Sequence, residues 1–405
     1  MSPCIDTVRL HERIERLAAI GRKDDGSCCR LALTDEDAEG RRLVKSWMEE
    51  AGLAVRIDRI GNMIGVQPGD ATPVMTGSHI DTVATGGRFD GNYGVLAGIE
   101  AAHAVASSGV RLARPFAVGV FTNEEGVRFE PDMMGSMVYA GLLPLEDALA
   151  ARDQSGVRLG DELARTGFAG EAPCGFPRPH AYVELHIEQG PVLERENLVL
   201  GAVTDLQAIS WQEISFSGVS NHAGTTPMSL RKDAGYSAAR LTVYVRELAQ
   251  SIAGQVGTVG SIRLQPGLTN VIPRKAVMTV DLRNTDDKRL KLAETNLGTF
   301  LMRIAAEEGV TYESRRLVRT LPVVFDPKIV AVIEDVARSL GHPAKPMTSG
   351  AGHDAQMLAS ICPAAMIFVP SVGGVSHNPG EFTAPAHLEI GAEALLQTMM
   401  RLAET

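Results

Sequence analysis

The chain has only five cysteines in 405 residues (Cys4, Cys28, Cys29, Cys174 and Cys362), an odd and scattered set with no C-x-x-C pair. That pattern gives neither a disulfide framework nor a zinc ribbon, and it suits reduced thiols in the cytoplasm. No apolar run approaches 18 residues, so no membrane span is expected. The opening stretch MSPCIDTVRLHERIERL is amphipathic and charged, without the apolar core or cleavage site of a secretory signal. Lys/Arg-rich runs are missing and the formal net charge is −10, which argues against a nucleic-acid partner, because phosphate binding needs a basic face. Neither a G-x-S-x-G nucleophile elbow nor a G-x-x-x-x-G-K-[ST] phosphate loop occurs. Repeats and low-complexity tracts are absent as well.

What is present is an ordinary globular balance, 44% hydrophobic and 22% charged, in a chain long enough for two domains. Apolar residues at helical spacing (Val8, Ile14, Leu17, Ile20) predict a helix over 5–21. A second starts with Thr34 as N-cap and ends near Gly52. Short β-like runs follow at 54–60 and 73–78, then a buried helix from Asn92 to Ala106 and an apolar strand at 115–121. From Trp211 the pattern reads strand (211–217), helix (232–252), strand (257–264), strand (276–283), helix (286–308), strand (310–317). That order, βαββαβ, is ferredoxin-like. After Leu321 the α/β alternation resumes with a helix at 326–340 and a strand at 364–370. The expectation is a discontinuous α/β domain (1–210 and 322–405) with a second domain, 211–321, inserted into it.

Four clusters carry chemistry. TGSHIDTVATGGRFDGNYG (76–94) places His79 and Asp81 at the end of a strand and Asp90 in a glycine-bracketed turn. Imidazole and carboxylate suit a borderline divalent cation, and Asp81 is positioned to orient His79. His-x-Asp alone is more often the sign of a capped turn than of a metal site. FTNEEGVRF (121–129) sets Glu124 and Glu125 after an apolar strand; a metal and a general base would explain the pair, and so would a solvated loop. YVELHIEQG (182–190) offers His186 between Glu184 and Glu188, and GGVSHNPGEF (373–382) offers His377 beyond the strand at 364–370. Open α/β sheets place their sites where strands end, so the conjunction favours a metal centre. Gly350–Ala355 has the spacing G-x-G-x-x-A, but it follows the polar stretch AKPMTS instead of a clear strand. It reads as a tight turn opening a helix.

The strings GSHIDTV…GGRFDG, NEEGVRF, ELHIEQGPVLE, HAGTTPMSLRKDA, NVIPRKAVMTVDLRN, SGAGHDA and GVSHNP occur in order over residues 77–379. Together they resemble the N-carbamoyl-L-amino-acid hydrolases. These stand with allantoate amidohydrolases and one class of β-ureidopropionase in the hydantoinase/carbamoylase group of the aminoacylase and carboxypeptidase-like superfamily. The resemblance implies a mixed-sheet di-metal peptidase-like catalytic domain with an inserted ferredoxin-like lid and dimerisation domain. It implies two divalent ions per subunit, zinc first with manganese, cobalt or nickel as other fits. Asp90 would bridge them, with His79, Glu125, His186 and His377 as further ligands. Glu124 would be the general base, taking a proton from a bridging water so that hydroxide attacks the carbamoyl carbon. Gln189, His222, Asn270, Arg283 and Gly352 would bind substrate, His222 also stabilising the transition state. On its DLRN context alone Arg283 fits a strand salt bridge better than a carboxylate clamp. The resemblance further implies a homodimer formed through the inserted domain, with His222 reaching the partner's site. The same scaffold also serves N-acyl-amino-acid deacylases and aminopeptidases. A catalytically silent, metal-stabilised binding protein would be expected to lack Glu124 or a ligand, and none is missing.

Overall fold

Local chemistry sets the helix ends. Asp6 caps the first helix, Thr7–Ala19, by accepting the Arg9 N–H. Thr34 caps the second, Asp35–Glu50, whose first turn carries three acids against the positive end of the helix dipole. Just beyond it Gly52 takes a φ of +80°, the left-handed stop expected there. The structure, a computed structural model, describes residues 3–404. The chain divides into two compact units: one runs up to Thr204 and resumes at Val324, and the other is Asp205–Val323.

The strands in chain order are β1 (Ala54–Ile57), β2 (Met63–Val66), β3 (Val74–His79), β4 (Phe116–Phe121), β5 (Ala181–Ile187) and β6 (Gly201–Leu206), then β7 (Ala208–Ser217), β8 (Val256–Gln265), β9 (Lys275–Asn284) and β10 (Thr311–Arg319), then β11 (Val323–Val324), β12 (Lys345–Ser349) and β13 (Ala364–Val369). The large sheet has the order β1-β2-β4-β3-β5-β13-β6-β11, with β12 also pairing β6. Its centre, β4-β3-β5-β13, is parallel, with His79 opposite Phe121 and His186 opposite Phe368. Antiparallel partners flank it, β2 on one side and β6 on the other. The sheet is therefore mixed. β3, β4, β5 and β13 are buried along their whole lengths, as strands covered on both faces must be. Because these four run the same way, their C-terminal ends share one edge, and each sequence cluster is at that edge.

The helix Asn92–Ser108 is buried on nearly every side, Glu100 included. The Glu100 carboxylate accepts from Arg9 Nη2 (2.7 Å) and Nε (2.9 Å) and from Arg13 Nη1 (2.6 Å), tying the first helix to this one. Losing the carboxylate would leave Arg13, itself buried, with only the exposed Glu50 as counter-charge. Glu100→Ala is expected to cost about 3–5 kcal/mol, read as a lower urea midpoint with an unchanged slope.

In the second unit β7, β8, β9 and β10 form an antiparallel sheet of order β10-β7-β9-β8. Helices Ala234–Ser251 and Asp287–Glu308 connect its strands in the βαββαβ order. Every second residue of β9 is buried (Ala276, Met278, Val280, Leu282), packed with Leu241, Val245, Leu297 and Phe300 of the two helices.

Several elements escape a reading by periodicity. β2 and β6 were not anticipated, and β12 occupies the stretch AKPMTS that reads as polar and non-strand. Three short helices, Met134–Ala140, Leu145–Ala150 and Leu159–Thr166, fill a region left unassigned. The unit boundary falls at 204/205, not 210/211, because β6 runs almost directly into β7.

Candidate metal centre

Asp90 stands at the middle of the C-terminal edge, buried, with imidazoles around it. Its Oδ1 is 3.2 Å from His186 Nε2 and 3.6 Å from His79 Nε2, while its Oδ2 is 3.2 Å from His377 Nε2. Glu125 Oε2 is 3.6 Å from His377 Nε2, and Glu124 Oε2 is 3.4 Å from His79 Nε2. Of the four candidate ligand groups among the described residues, His79–Asp90–His186 and Asp90–Glu125–His377 share Asp90; the others are His79–Glu124–Glu125 and Glu184–His186–His353.

The hydrogen bonds decide what such a cluster can hold. His79 Nδ1 is 2.8 Å from the Asp81 carbonyl, and His186 Nδ1 is 2.9 Å from the Ile187 carbonyl. A carbonyl accepts only, so each Nδ1 carries the proton; the His79 Nε2 then turns a lone pair toward Asp90, while the His186 Nε2 accepts the Gly91 N–H at 3.1 Å. Lone pairs facing a buried carboxylate repel unless a cation or an extra proton is placed between them. Without a cation the protein supplies protons. Burial works against the charge on His79, yet Glu124 and Asp90 outweigh it and raise its pKa well above the usual value. The Asp90 hydrogen bond, chiefly, pushes His377 up to about 9. Burial raises Asp90 too, but its three imidazoles together hold it well below the carboxylate range. Burial and the Asp90 charge push Glu125 up to about 8, and burial lifts Glu124 well above its ordinary value. A cluster that draws in protons in this way fits divalent cations, which would replace those protons.

Asp81 does not orient His79 with its side chain, as the sequence suggested; its backbone carbonyl does that. Its buried carboxylate instead accepts the N–H groups of Glu124 (3.2 Å) and Glu125 (3.3 Å), fixing the turn that presents both glutamates. On the far side Met133 donates its N–H to the Glu124 carbonyl at 2.7 Å. Gly352 packs here: a Cβ on it would come within 2.9 Å of the Met133 methyl.

Gln189 donates from Nε2 to Asp90 Oδ2 at 2.8 Å and to Ser376 Oγ at 3.2 Å. Its Oε1 is buried and has no partner among the described residues. Sequence reasoning missed Ser376 and Glu381, although both stand in the string around His377. It also gave no role to Glu184, which takes the Ser78 hydroxyl (2.8 Å) and the Ala355 N–H (2.7 Å) beneath the cluster.

The structure thus brings together His79, Asp90, Glu124, Glu125, His186, Gln189 and His377 in the first unit, with Gly352 beside the glutamate turn. His222, Asn270 and Arg283 belong to the second unit. There the Ala223 N–H donates to the Asn270 carbonyl, placing His222 next to Asn270. His222 Nδ1 accepts the Gly224 N–H at 3.0 Å. That leaves its Nε2 as the nitrogen carrying the proton when the ring is neutral. Arg283 lies on the central strand β9 with its guanidinium along Asp281, at 2.8–3.1 Å, so the in-strand ion pair is made.

Gly91 is where backbone and site meet. Its φ is +64°, and a Cβ there would reach 2.5 Å from His79 Nε2. Gly91→Ala is expected to displace His79 and cut metal retained after dialysis by at least about tenfold. Metal analysis beside circular dichroism of the folded variant checks this.

A buried carboxylate shared by two His/acid groups, at the strand ends of a mixed α/β sheet, is an arrangement suited to a metal-dependent hydrolase. Residues 75–401 match the model of peptidase family M20/M25/M40. The chain belongs to that family, whose chemistry calls for divalent metal ions. It is 41% identical over 404 residues to an N-carbamoyl-L-amino-acid amidohydrolase of Rhizobium meliloti, covering 99% of this chain and 97% of the relative. It is 35% identical to an allantoate amidohydrolase of Bacillus subtilis, covering 96% of each. A crystal structure of a hydantoinase/carbamoylase family amidase from Burkholderia multivorans superposes with a TM-score of 0.96 at 43% identity, covering all of both chains. The mixed sheet and the amidohydrolase kinship read from the motifs agree with these matches. Among the described residues no helix is long and apolar enough to cross a membrane.

Proposed function

We propose that this chain hydrolyses the ureido C–N bond of an N-carbamoyl-L-amino acid or a similar ureido acid, releasing ammonia, CO₂ and the amino acid. The observation that carries the choice of group is the buried, unpartnered Gln189 Oε1 beside Asp90. Asp90 can only accept, so the Gln189 amide turns its N–H to Asp90 and leaves its carbonyl facing inward as an acceptor. A terminal ureido NH₂ supplies the missing donor; the methyl group of an N-acetyl substrate does not. A site built to pair such a donor rejects the analogue lacking it strongly. The amidohydrolase relatives support the same reading.

His79, Asp90, Glu125, His186 and His377 would hold the divalent ions, which when bound would lower the pKa of water and polarise a carbonyl. Zinc is the first fit, though such a donor set also accepts manganese, cobalt or nickel. Glu124, the buried carboxylate left over once Glu125 completes the second group, takes a proton from the attacking water and returns it to the departing nitrogen. His222 Nε2–H, Asn270 and Arg283 fit a role on the substrate's oxyanion and carboxylate. For Arg283 that requires sharing its guanidinium with Asp281.

The second unit fits a lid and dimerisation role. Among the described residues β8 pairs only with β9, so its outer edge offers unpaired backbone groups. Val256, Ile262 and Leu264 are exposed on that strand, and Tyr236 and Val243 on the helix Ala234–Ser251. Long edges with apolar side chains are normally covered by another chain, and a second copy is the natural one. Five free cysteines support a cytoplasmic location.

The test is ammonia release from N-carbamoyl-methionine, allantoate, 3-ureidopropionate and N-acetyl-methionine (read as free methionine), with Zn²⁺, Mn²⁺ or Co²⁺ added. Turnover of a ureido acid, abolished by chelation, is expected. Preference for the N-acetyl substrate would favour a deacylase and remove the assigned role of Gln189.

A further inference from the structure

Ser376 and Glu381 flank His377 at the site's edge, and neither is one of the ligands. Glu381 is buried, and its carboxylate does two things. Oε1 accepts the N–H of Phe89 at 2.9 Å and of Asp90 at 3.3 Å; Oε2 is 3.3 Å from Ser376 Oγ. Ser376 Oγ is in turn 3.2 Å from Asp90 Oδ2, and it also accepts from Gln189 Nε2 at 3.2 Å. A hydroxyl has one proton, and here two carboxylate oxygens stand within reach of it. It can satisfy only one of them at a time.

We propose that Ser376 and Glu381 form a hydroxyl switch that frees Asp90 Oδ2 for the second ion, the one belonging to Asp90, Glu125 and His377. With no cation at that position, the Ser376 proton can serve Asp90 Oδ2, adding to the donors that already crowd it. Once a cation takes the Oδ2 lone pairs, the hydroxyl has Glu381 Oε2, 3.3 Å away, as its other acceptor. Glu381 is thus a positioning residue in two senses: it fixes the backbone that carries Asp90, and it accepts the hydroxyl hydrogen bond that otherwise goes to Asp90. Asp90 Oδ1, facing His79 and His186, has no contact with this pair. The effect therefore belongs to one of the two ion positions.

This inference rests on the two-ion reading of the site, and the experiment keeps the two apart. Glu381→Gln retains an oxygen for the Phe89 and Asp90 N–H groups but turns an NH₂ toward Ser376. The serine must then accept from residue 381 and give its proton to Asp90 permanently. Zn²⁺ titration against a chromophoric chelator, without substrate, should find one ion bound as in wild type and the second weakened about 10–100-fold. Ser376→Ala removes the competing donor and should bind the second ion within about threefold of wild type, or more tightly. The double variant should recover most of the affinity lost in Glu381→Gln, the non-additivity expected of residues in one network. A general loosening of the loop would not be rescued by deleting a hydroxyl. Equal binding of both ions by Glu381→Gln, a second ion tenfold weaker in Ser376→Ala, or no rescue in the double variant would each overturn the switch. Fewer than two ions in wild type would instead overturn the two-ion reading itself. Ser376→Ala is a small-to-smaller change in a half-exposed loop, so that arm stands even if Glu381→Gln folds poorly.

Discussion

Glu124→Gln is expected to lower turnover by about 10²–10⁴-fold or more while both ions stay bound. The change keeps the size of the side chain and deletes the carboxylate proposed to carry a proton between water and leaving nitrogen. Neighbouring Glu125 should behave differently. It closes the ligand group with Asp90 and His377, so Glu125→Gln should lose one ion before it loses anything else. The pair is informative because the turn that presents both is fixed by other atoms: the Asp81 carboxylate holds both N–H groups, and Met133 holds the Glu124 carbonyl. Neither substitution disturbs those bonds, so each reports on its own side chain. Metal analysis and steady-state turnover on the same preparations decide the matter. Equal metal retention in both variants with equal loss of rate would mean that the roles of the adjacent glutamates are not divided as assigned.

The contrast between those glutamates and Asp81 marks how far the sequence carries. His79, Glu124, Glu125, His186 and His377 stand at or beyond the ends of apolar runs, and Asp90 in a glycine-bracketed turn. The resemblance of their motifs to the carbamoylases singled them out together. The parallel register of β3, β4, β5 and β13 then brings those ends to one edge. The βαββαβ unit was legible too, since β9 alternates cleanly and both long helices carry their own Asp caps, Asp233 and Asp286. Other features were not. The Asp81 carboxylate reaches 43 residues along the chain to Glu124, and Ser376 reaches back 286 residues to Asp90. Such pairings depend on how loops cross the sheet edge, which no local period records. β12 looked polar because it is a half-buried strand at the side of β6, so its side chains are not selected for an apolar core. The three helices between Met134 and Thr166 are each eight residues or fewer, too short for a 3.6-residue period to stand out.

Subunits defective in Glu124 and subunits defective in His222 are expected to complement one another in a homodimer whose sites draw on both chains. All five proposed ligands and Glu124 belong to the first unit, whereas His222 belongs to the second. If the dimer forms through the second unit and His222 serves the partner's site, each site needs Glu124 from one chain and His222 from the other. Glu124→Ala and His222→Ala subunits, each inactive alone, are then mixed under conditions that allow exchange. In a mixed two-fold dimer one site collects both defects and the other collects none. Random pairing of equal amounts makes half the dimers mixed with half their sites intact, restoring about one quarter of wild-type activity. Should His222 serve its own chain, every site keeps at least one defect and no activity returns. Native mass spectrometry of differently tagged subunits measures the mixed fraction, so a silent mixture with exchange confirmed rules out the composite site. A recovery that rises with the mixed fraction and levels off near one quarter requires it, because no arrangement within a single chain can return an intact site from two defective subunits.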